Sequence, residues 1–274
     1  MQLQRQLLGR KKNRKMKLFD AHSHYDDERF CENREELLAE IHKSGVEKIV
    51  SAGYSLEGSV NGLKLALEND YIYTTAGISP NDLSMSWEED IIRIDELIST
   101  NLDSKKILAV GEIGLDYHYD TDRKIQYEAF KRQIDMANKF ELPIVIHTRD
   151  AVMDTLKMIK ENPVLKKGMF HCCPLNRELV KEALKLGYYI SVAGPATFKN
   201  SKNAVEILEI IPLEKMLIET DSPYLAPEPV RGTRNDSRNL KYIVTKIAEV
   251  KGEKSEKVAK ITYDNAMKFF GIKE

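Results

Sequence analysis

The sequence predicts an α/β fold, a (β/α)8 TIM barrel with extra C-terminal helices. Its 274 residues contain eight short apolar runs whose starts lie 20 to 36 residues apart. Runs that are apolar throughout, rather than alternating, are typical of parallel strands buried on both faces. Helical segments with one apolar face lie between them, so strand and helix alternate along the chain. Eight such units in a chain of this length indicate a closed barrel.

The first half of the chain supplies four of the strands. They are predicted at residues 17–20, 46–52, 71–78 and 107–111, with helices at 33–44, 56–68 and 87–100. Asn33 with Glu36 three positions later is a capping pattern for the first helix. In the second helix, Val60, Leu63 and Leu67 recur at helical spacing.

The second half repeats the alternation. Strands are predicted at residues 143–147, 168–171, 188–192 and 215–218. Helices are predicted at 123–140, 151–160, 177–186 and 202–211, with two more at 239–250 and 255–270. A doubly wound open sheet is the alternative. It is disfavoured because no glycine-rich nucleotide fingerprint follows the first strand.

The two ends of the chain differ in charge. The first 17 residues carry seven of the 42 basic residues and no acid, which leaves 35 basic and 43 acidic residues in the remainder. We expect residues 1–16 to be a basic, disordered extension and residues 17–274 to form one barrel domain. A basic arm can bind nucleic acid or an anionic surface. The same residues can equally be upstream sequence ahead of a start at Met16.

Composition narrows the class of protein. No apolar run approaches the roughly 20 residues that span a bilayer, and the N-terminus lacks the apolar stretch of a secretory signal. The three cysteines, Cys31, Cys172 and Cys173, form no CxxC pair and no evenly spaced framework, which indicates a reducing setting. We therefore expect a cytoplasmic protein with no membrane association and no evident obligate protein partner.

Metal-ligand side chains recur at the ends of the predicted strands. His22 and His24 are the only His-x-His pair, and residues two apart in an extended segment project to the same side. Alone, such a pair is more typical of a polar turn than of a metal site. Further residues of this kind follow other strands, namely Glu112, His147, His171 and Asp221. In a barrel the C-terminal strand ends form the active site, so we expect these six side chains to converge.

Six ligands are too many for one catalytic zinc ion, which takes about three from the protein. They suit two divalent ions that share a bridging carboxylate and water. We expect His22, His24 and Asp221 on one ion and His147 and His171 on the other, with Glu112 bridging. Glu112 and Asp221 are the catalytic candidates, with Asp221 placed to take the proton of an activated water. The expected ions are Mg, Mn or Zn, and the residues leave the choice open.

With these residues assembled, the sequence resembles the TatD family of metal-dependent hydrolases, the TatD-type deoxyribonucleases. Four motifs carry the resemblance, at residues 19–24 (FDAHSH), 110–117 (VGEIGLDY), 143–151 (PIVIHTRDA) and 219–227 (ETDSPYLAP). The resemblance covers the chain from Leu18 to its C-terminus. It implies an amidohydrolase-type barrel, phosphodiester hydrolysis on DNA, and the six ligands named above.

Two segments depart from the family pattern. After His171 the family usually has Ser/Cys-Phe-Ser-Gly, where this chain has Cys172-Cys173-Pro174-Leu175. Arg231, Gly232 and Asn235 match the family, but Asp236-Ser237 replaces its usual Glu-Pro. We expect both segments to lie in loops over the mouth of the site and to bear on substrate choice.

Four further residues are candidate substrate contacts. Arg149 can clamp a phosphate or pair with a carboxylate such as Asp116. His118 can donate to a phosphate or lie exposed in its loop. Tyr224 and Arg231, in the loop after Asp221, can contact a base and a phosphate, and Tyr224 can equally be packing. Asp20 is expected to orient a ligand histidine or to cap its loop.

The predicted function is a two-metal deoxyribonuclease that acts as a 3′–5′ exonuclease on DNA, with RNA possible. The alternative is an ester or amide hydrolase, such as a lactonase or aminoacyl-ester deacylase, with the same binuclear site. Related barrels of that kind use a carboxylated lysine as the bridge, and Lys105 and Lys106 lie at the wrong end of their strand. A third possibility, nucleic-acid binding without catalysis through the N-terminal arm, leaves the six converging ligands unexplained.

Overall fold

The structure, a computed structural model, describes residues 16–273, and within them eight strands form one parallel sheet in sequence order. The strands are β1 (Leu18–Ser23), β2 (Val46–Ser51), β3 (Ile72–Ala76), β4 (Ile107–Asp116), β5 (Ile144–Arg149), β6 (Gly168–Phe170), β7 (Tyr189–Val192) and β8 (Met216–Ile218). Each strand pairs in parallel with the next. The predicted (β/α)8 barrel is therefore confirmed.

Helices follow the strands on the outside of the sheet. They are α1 (Arg34–Ser44), α2 (Leu56–Glu68), α3 (Trp87–Asn101), α4 (Arg123–Lys139), α5 (Val152–Glu161), α6 (Arg177–Lys185), α7 (Ala204–Ile210), α8 (Leu240–Lys251) and α9 (Ser255–Phe269). Gly45 ends α1 in the left-handed conformation, with φ of 115°, which glycine adopts without steric cost. The extra helix predicted at the C-terminal end is α9.

Helix α9 closes one end of the barrel. Tyr263 and Met267 of α9, with Phe270 directly after it, belong to the apolar cluster that includes residues near the starts of β1 and β4–β8. Phe19 stacks on Phe270, with ring centroids 5.7 Å apart, and meets Tyr263 edge to face. Because the starts of the strands are covered in this way, only their C-terminal ends are left open for a site.

Beyond the ends of β1 and β8, backbone hydrogen bonds close the barrel. Asp221 N donates to the His22 carbonyl at 3.0 Å, and His24 N donates to the Ser222 carbonyl at 2.7 Å. Below them, Asp20 Oδ1 accepts from Thr220 N at 2.9 Å. The seam between the first and last strands is thus made at the level of the candidate ligands.

Several sequence-based details differ from the structure. Strand β4 continues to Asp116, so Glu112 lies inside the strand instead of at its end. The Asn33 side chain makes no capping hydrogen bond. Val60 and Leu67 are 47% and 55% exposed, because α2 buries the face that carries Gly58, Gly62 and Ala66. Those small residues let α2 approach the sheet closely, which an apolar periodicity does not register.

The predicted division into an extension and a barrel domain stays a prediction, because residues 1–15 lie outside the described part of the chain. Met16, assigned to the extension, is partly buried against the main core.

Candidate metal centre

The C-terminal ends of the strands bring all six predicted ligands together. His22 lies in β1, His24 just after it, Glu112 in β4, His147 in β5, His171 after β6 and Asp221 after β8. Within this set His22, His24, Glu112 and His171 are buried, while His147 and Asp221 are half-buried. Five separate strands therefore feed one polar cluster, which no local element could form by itself.

Glu112 joins two pairs of histidines. Its Oε2 lies 3.3 Å from His22 Nε2 and 3.9 Å from His24 Nε2. Its Oε1 lies 2.8 Å from His147 Nδ1 and 3.2 Å from His171 Nε2. One carboxylate oxygen thus faces each pair, as in a carboxylate that bridges two cations.

Asp221 completes the side of the site that His22 and His24 form. Its Oδ1 lies 3.3 Å from His24 Nε2 and 3.6 Å from His22 Nε2. The residue has φ of 57°, a left-handed conformation that is uncommon for a residue other than glycine. Outliers of this kind are held by their surroundings and cluster at functional sites.

The spacing of the nitrogen atoms fits metal ligation. His22 Nε2 and His24 Nε2 are 3.2 Å apart, and His147 Nδ1 and His171 Nε2 are 3.1 Å apart. Two nitrogens bound tetrahedrally at 2.0–2.1 Å would lie about 3.3 Å apart. Facing nitrogen lone pairs need a proton or a cation between them, so the donor set and its separations both suit divalent ions.

Residues 16–273 contain three overlapping sets of candidate ligands. Within each set, the ligand atoms all lie within 4.8 Å of one another. Two of them are the sets that Glu112 joins, one with His22 and His24 and the other with His147 and His171. The third contains His22, His171 and Asp221, because the His22 and His171 rings stack with centroids 4.0 Å apart. The division of ligands between two ions accordingly stays a prediction.

A glycine makes room for His147 between two carboxylates. Residues 112, 114 and 116 of β4 lie on the same face of the strand. The middle one is Gly114, which is paired with His147 of β5. A Cβ on Gly114 would lie 1.9 Å from the His147 carbonyl oxygen. The His147 ring therefore reaches Glu112 with Nδ1 and Asp116 Oδ2 with Nε2, the latter at 2.9 Å.

Sequence reasoning named Asp116 only as a partner for Arg149. The signal for its contact with His147 was its position four residues after Glu112, on the same face of one strand. Partners of this kind fix the ring orientation and tautomer of metal-bound histidines. Asp116 also accepts from Asn81 Nδ2 at 2.9 Å and from His118 N at 2.9 Å, so its two oxygens are held in place.

Glu219 has a comparable position beside His171. Its Oε1 lies 3.4 Å from His171 Nδ1 and accepts from Cys172 N at 2.6 Å. The buried Nδ1 atoms of His22, His24 and His171 all lack a hydrogen bond of good geometry among the described residues. The two halves of the cluster still differ, since within that part of the chain His147 and His171 each form an ion pair with an outer carboxylate, Asp116 or Glu219.

Proximity shifts the protonation of the cluster strongly in the metal-free protein. Burial would raise the pKa of Asp221, but a hydrogen bond and charge from His24 outweigh it and lower that pKa to about 2. The same contact, working against burial, raises the pKa of His24 to about 9. For Glu112, burial is outweighed by His171, His147 and His22, so its pKa lies well below the usual range. In the metal-free protein, protonated histidines and ionised carboxylates therefore stabilise one another. Bound metal cations could replace these protons.

Asp20 has neither of its two predicted roles, because the partners of its side chain are Thr220 and Ser237 and not a ligand histidine or the loop after β1. Its Oδ2 accepts from Thr220 Oγ1 at 2.5 Å and from Ser237 Oγ at 2.6 Å. Asp20 is fully buried, and burial raises its pKa to about 7 despite these hydrogen bonds. It ties β1 to the segment after β8 and acts on the barrel seam.

Ser237, one of the departures from the family pattern, is also buried at that seam and not over the mouth. Its backbone N donates to Tyr25 Oη at 2.9 Å, in addition to its contact with Asp20. A proline has neither the N–H nor the hydroxyl group that these bonds use. The serine at position 237 therefore affects closure of the barrel, and not the choice of substrate as expected from the sequence.

The four residues predicted to contact the substrate lie around the cluster and are not part of it. Arg149 is exposed, and its guanidinium lies 5.5 Å from the centre of the Tyr119 ring. The alternative ion pair with Asp116 does not form among the described residues, because Asp116 is engaged by His147 and Asn81. His118 Nδ1 lies 3.3 Å from Asp150 Oδ2.

Tyr224 and Arg231 both come from the loop after β8. The Tyr224 ring meets the His24 ring with centroids 6.2 Å apart, and its hydroxyl donates to Asp27 Oδ2 at 3.2 Å. The Arg231 guanidinium lies 4.1 Å from the centre of the Phe198 ring. Tyr224 is thus beside the candidate ligands, whereas Arg231 packs on the neighbouring loop after β7.

A cavity of about 230 Å³ opens directly onto Glu112 and His24. We call it the mouth pocket. The loops after β1, β2, β3 and β8 supply its remaining lining, which consists of Asp27, Tyr54, Ser79, Asn81, Asp82 and Tyr224. A small molecule or the end of a polymer in this pocket would lie against the candidate catalytic carboxylate.

A sequence model described as TatD related DNase matches residues 19–271 of the chain. The chain belongs to the TatD family. It is 39% identical over 257 residues to the uncharacterized metal-dependent hydrolase YabD of Bacillus subtilis, covering 93% of this chain and 99% of that protein. It is 31% identical to the 3′-5′ ssDNA/RNA exonuclease TatD of Citrobacter rodentium, covering 93% and 98%.

Solved structures agree with the fold of this TatD-family chain. YJJV, a TatD homolog from Escherichia coli K12, superposes with a TM-score of 0.88 at 23% identity, covering 93% of this chain and 98% of that one. The protein is accordingly a metal-dependent hydrolase with a buried His/Glu/Asp cluster that could bind metal ions. None of the described helices is both long enough and apolar enough to cross a membrane.

Proposed function

We propose that the protein is a nuclease that uses two divalent metal ions to release nucleotides from the 3′ ends of single-stranded DNA, with RNA as a possible second substrate. One observation carries the proposal most directly. Glu112 directs one carboxylate oxygen to each of two histidine pairs. A bridged pair of ions can stabilise both the attacking and the leaving oxygen of a phosphodiester. The exonuclease named among the relatives supports this substrate class.

The charges of the cluster support two ions over one. Glu112, Asp116, Glu219 and Asp221 bring four carboxylates into a largely buried region. Their ion-pair partners in the described part of the chain are histidines. With neutral imidazoles, two divalent cations balance four carboxylates, whereas one would leave two buried charges unpaired. Unpaired buried charges are strongly unfavourable.

The chain's own residues have separable roles in this proposal. His22, His24 and Asp221 would hold one ion and His147 and His171 the other, with Glu112 shared between them. Bound divalent ions such as Mg, Mn or Zn lower the pKa of water and offset charge on a phosphate. Asp221 has a pKa of about 2 beside the histidines of the metal-free protein, so it is ionised there at neutral pH, and its carboxylate is the candidate acceptor for the proton of the attacking water.

Charged side chains at the rim would bind the nucleic-acid backbone. Arg149 is exposed at the end of β5, and no carboxylate among the described residues pairs with it, so its guanidinium is available for a phosphate. Arg231 is exposed over Phe198. His118 would first have to leave Asp150. Arg149 ends β5, while His118 and Arg231 lie in the loops after β4 and β8, so the proposed phosphate contacts come from separate parts of the rim.

The test uses single-stranded oligonucleotides labelled at either end, with Mg, Mn or Zn added to metal-stripped protein. We expect stepwise release from the 3′ end. The His147→Ala and Asp221→Asn variants should lose more than the 10- to 100-fold that removal of an outer partner costs. The matched control is His42→Ala, since His42 stacks on Tyr71 and lies outside the cluster.

Activity that persists in both cluster variants would come from a contaminating nuclease and would contradict the proposal. A parallel panel compares a bis-aryl phosphodiester with a lactone and an aminoacyl ester. Hydrolysis of an ester without cleavage of the phosphodiester would replace the nuclease proposal with the ester or amide hydrolase alternative. Metal analysis of the purified protein should give two ions per chain.

A further inference from the structure

We infer that the mouth pocket binds the base of the released nucleotide and prefers bases with an exocyclic amino group. This inference rests on the proposed nuclease function and specifies which nucleotide ends the site accepts. The pocket shares Glu112 and His24 with the candidate metal centre, so an occupant lies next to the scissile bond. Its volume of about 230 Å³ is below the roughly 300 Å³ at which pockets for drug-sized ligands begin, which suits a single base.

Two tyrosines form the aromatic walls of the pocket. The Tyr54 ring meets the His24 ring edge to face, with centroids 5.3 Å apart, and Tyr224 meets the same ring at 6.2 Å. Bases of single strands stack on such rings whatever their identity. The Arg29 guanidinium lies 4.1 Å over the Tyr224 ring and covers one of its faces. A base can therefore stack only on the opposite face of Tyr224.

The polar residues opposite these walls accept hydrogen bonds. Asp82 Oδ2 accepts from Ser79 Oγ at 2.5 Å, which leaves Oδ1 as an acceptor for a ligand. The Asn81 amide is held in place because its Nδ2 donates to Asp116. A carboxylate can accept from the amino group of cytosine or adenine, whereas thymine and uracil present a carbonyl oxygen there. The pocket therefore favours amino-bearing bases.

The acidic surface beyond the mouth pocket indicates that the pocket accepts the end of a nucleic-acid chain and not its middle. Past Asp27, Tyr54 and Tyr224 the surface continues into a groove of about 1150 Å³ whose lining includes eight acidic and three basic side chains. A phosphodiester backbone is repelled by such a groove. The polymer would instead leave towards Arg149 and Arg231, with only its terminal base turned into the mouth pocket.

The experiment compares oligonucleotides that differ only in a 3′-terminal dC or dT, together with equilibrium binding of dCMP and dTMP to the metal-loaded protein. We expect dC to be released about tenfold faster than dT, as for one hydrogen bond to a charged group. Tyr54→Ala should weaken binding of both nucleotides about five- to 150-fold, the range for loss of one stacking partner, and Tyr54→Phe should retain it. Asp82→Asn should reduce the preference for dC. Tyr127→Ala, on the outer helix α4, is the matched control and should change neither quantity.

The outcomes separate this inference from the function on which it rests. Cleavage with equal rates for dC and dT, or with an unaltered Tyr54→Ala variant, would overturn the base pocket and leave the nuclease intact. Tighter binding of dCMP than dTMP without any cleavage would support the pocket while overturning the nuclease. Binding of an amino-acid amide with no binding of either nucleotide would overturn both, in favour of an aminoacyl ester.

Discussion

Replacing Asp116 with asparagine tests whether the carboxylate outside the cluster sets the geometry inside it. The side chain accepts three hydrogen bonds, from His118 N at Oδ1 and from Asn81 Nδ2 and His147 Nε2 at Oδ2. All three partners are donors, but an amide has only one acceptor oxygen. In the Asp116→Asn variant, an NH2 group must therefore face at least one N–H group.

The magnitude follows from two independent considerations. A buried donor left without its acceptor costs about 1–3 kcal/mol. Loss of an outer partner of a metal-bound histidine typically lowers metal affinity 10- to 100-fold, which corresponds to about 1.4–2.8 kcal/mol. The two ranges agree, so we expect a 10- to 100-fold weaker metal affinity for the ion that His147 holds.

The assay is competition with a chromogenic chelator, with circular dichroism to check that the fold is retained. The control is Asp150→Asn, which removes the same charge from an exposed side chain 3.3 Å from His118. Asparagine tolerates the left-handed conformation at this position, where φ is 54°. If Asp116→Asn binds metal as tightly as Asp150→Asn does, the proposed role of Asp116 is refuted.

Three further predictions concern pH, the barrel seam and strand packing. Contact with Asp221 raises the pKa of His24 to about 9 without metal, so the stabilisation from its protonated form is complete below about pH 6.5 and is lost towards pH 9. The melting temperature of the metal-free protein, measured by calorimetry, should therefore fall between about pH 6.5 and pH 9. A melting temperature that does not change across this range would contradict the prediction. Ser237→Ala removes a donor from buried Asp20 and should lower the free energy of unfolding by about 1–3 kcal/mol in urea titrations, whereas exposed Ser84→Ala should leave it unchanged. Gly114→Ala places a Cβ 1.9 Å from the His147 carbonyl oxygen and should reduce metal content measured on purified protein, and full metal content would show that β4 and β5 can separate without harm.

The fold could be predicted because its strands and helices are marked by local patterns. The burial of most positions in β1 to β8 leaves little alternation, and Ile91, Ile94 and Ile98 recur at helical spacing in α3 and are buried. What failed was part of the packing of α2, where small residues such as Gly62 and Ala66 are buried beside Leu63 while Val60 and Leu67 are exposed. Close packing of a helix on a sheet depends on small side chains at the contact, whereas hydrophobic periodicity detects only the large apolar ones.

The convergence of the six candidate ligands could be predicted because each lies in the C-terminal half of a strand or just after it, and parallel strands share one edge. The outer contacts could not, since they depend on register. His147 meets Asp116 only because Gly114 is its partner in the adjacent strand. Asp20 was expected to orient a ligand histidine or to cap its loop, yet its side chain joins Thr220 instead. Positions two apart on a strand share a face but lie about 6.6 Å apart along it, so proximity in the motif gives no assurance of contact.

The seam between β1 and β8 links the stability of the barrel to its chemistry. Ligands His22 and Asp221 are joined directly there, because the Asp221 N–H donates to the His22 carbonyl at 3.0 Å. An ion held by both side chains would therefore also hold the first and last strands together, and binding to the folded state alone stabilises that state. Loss of Asp20 should weaken closure and metal binding in parallel. Loss of Asp116, between β4 and β5, should weaken metal binding while the β1–β8 seam stays closed, and it should cost the metal-free protein only the about 1–3 kcal/mol of an unsatisfied donor. If loss of Asp20 lowered metal-free stability but left metal affinity unchanged, closure of the barrel and assembly of the site would be independent.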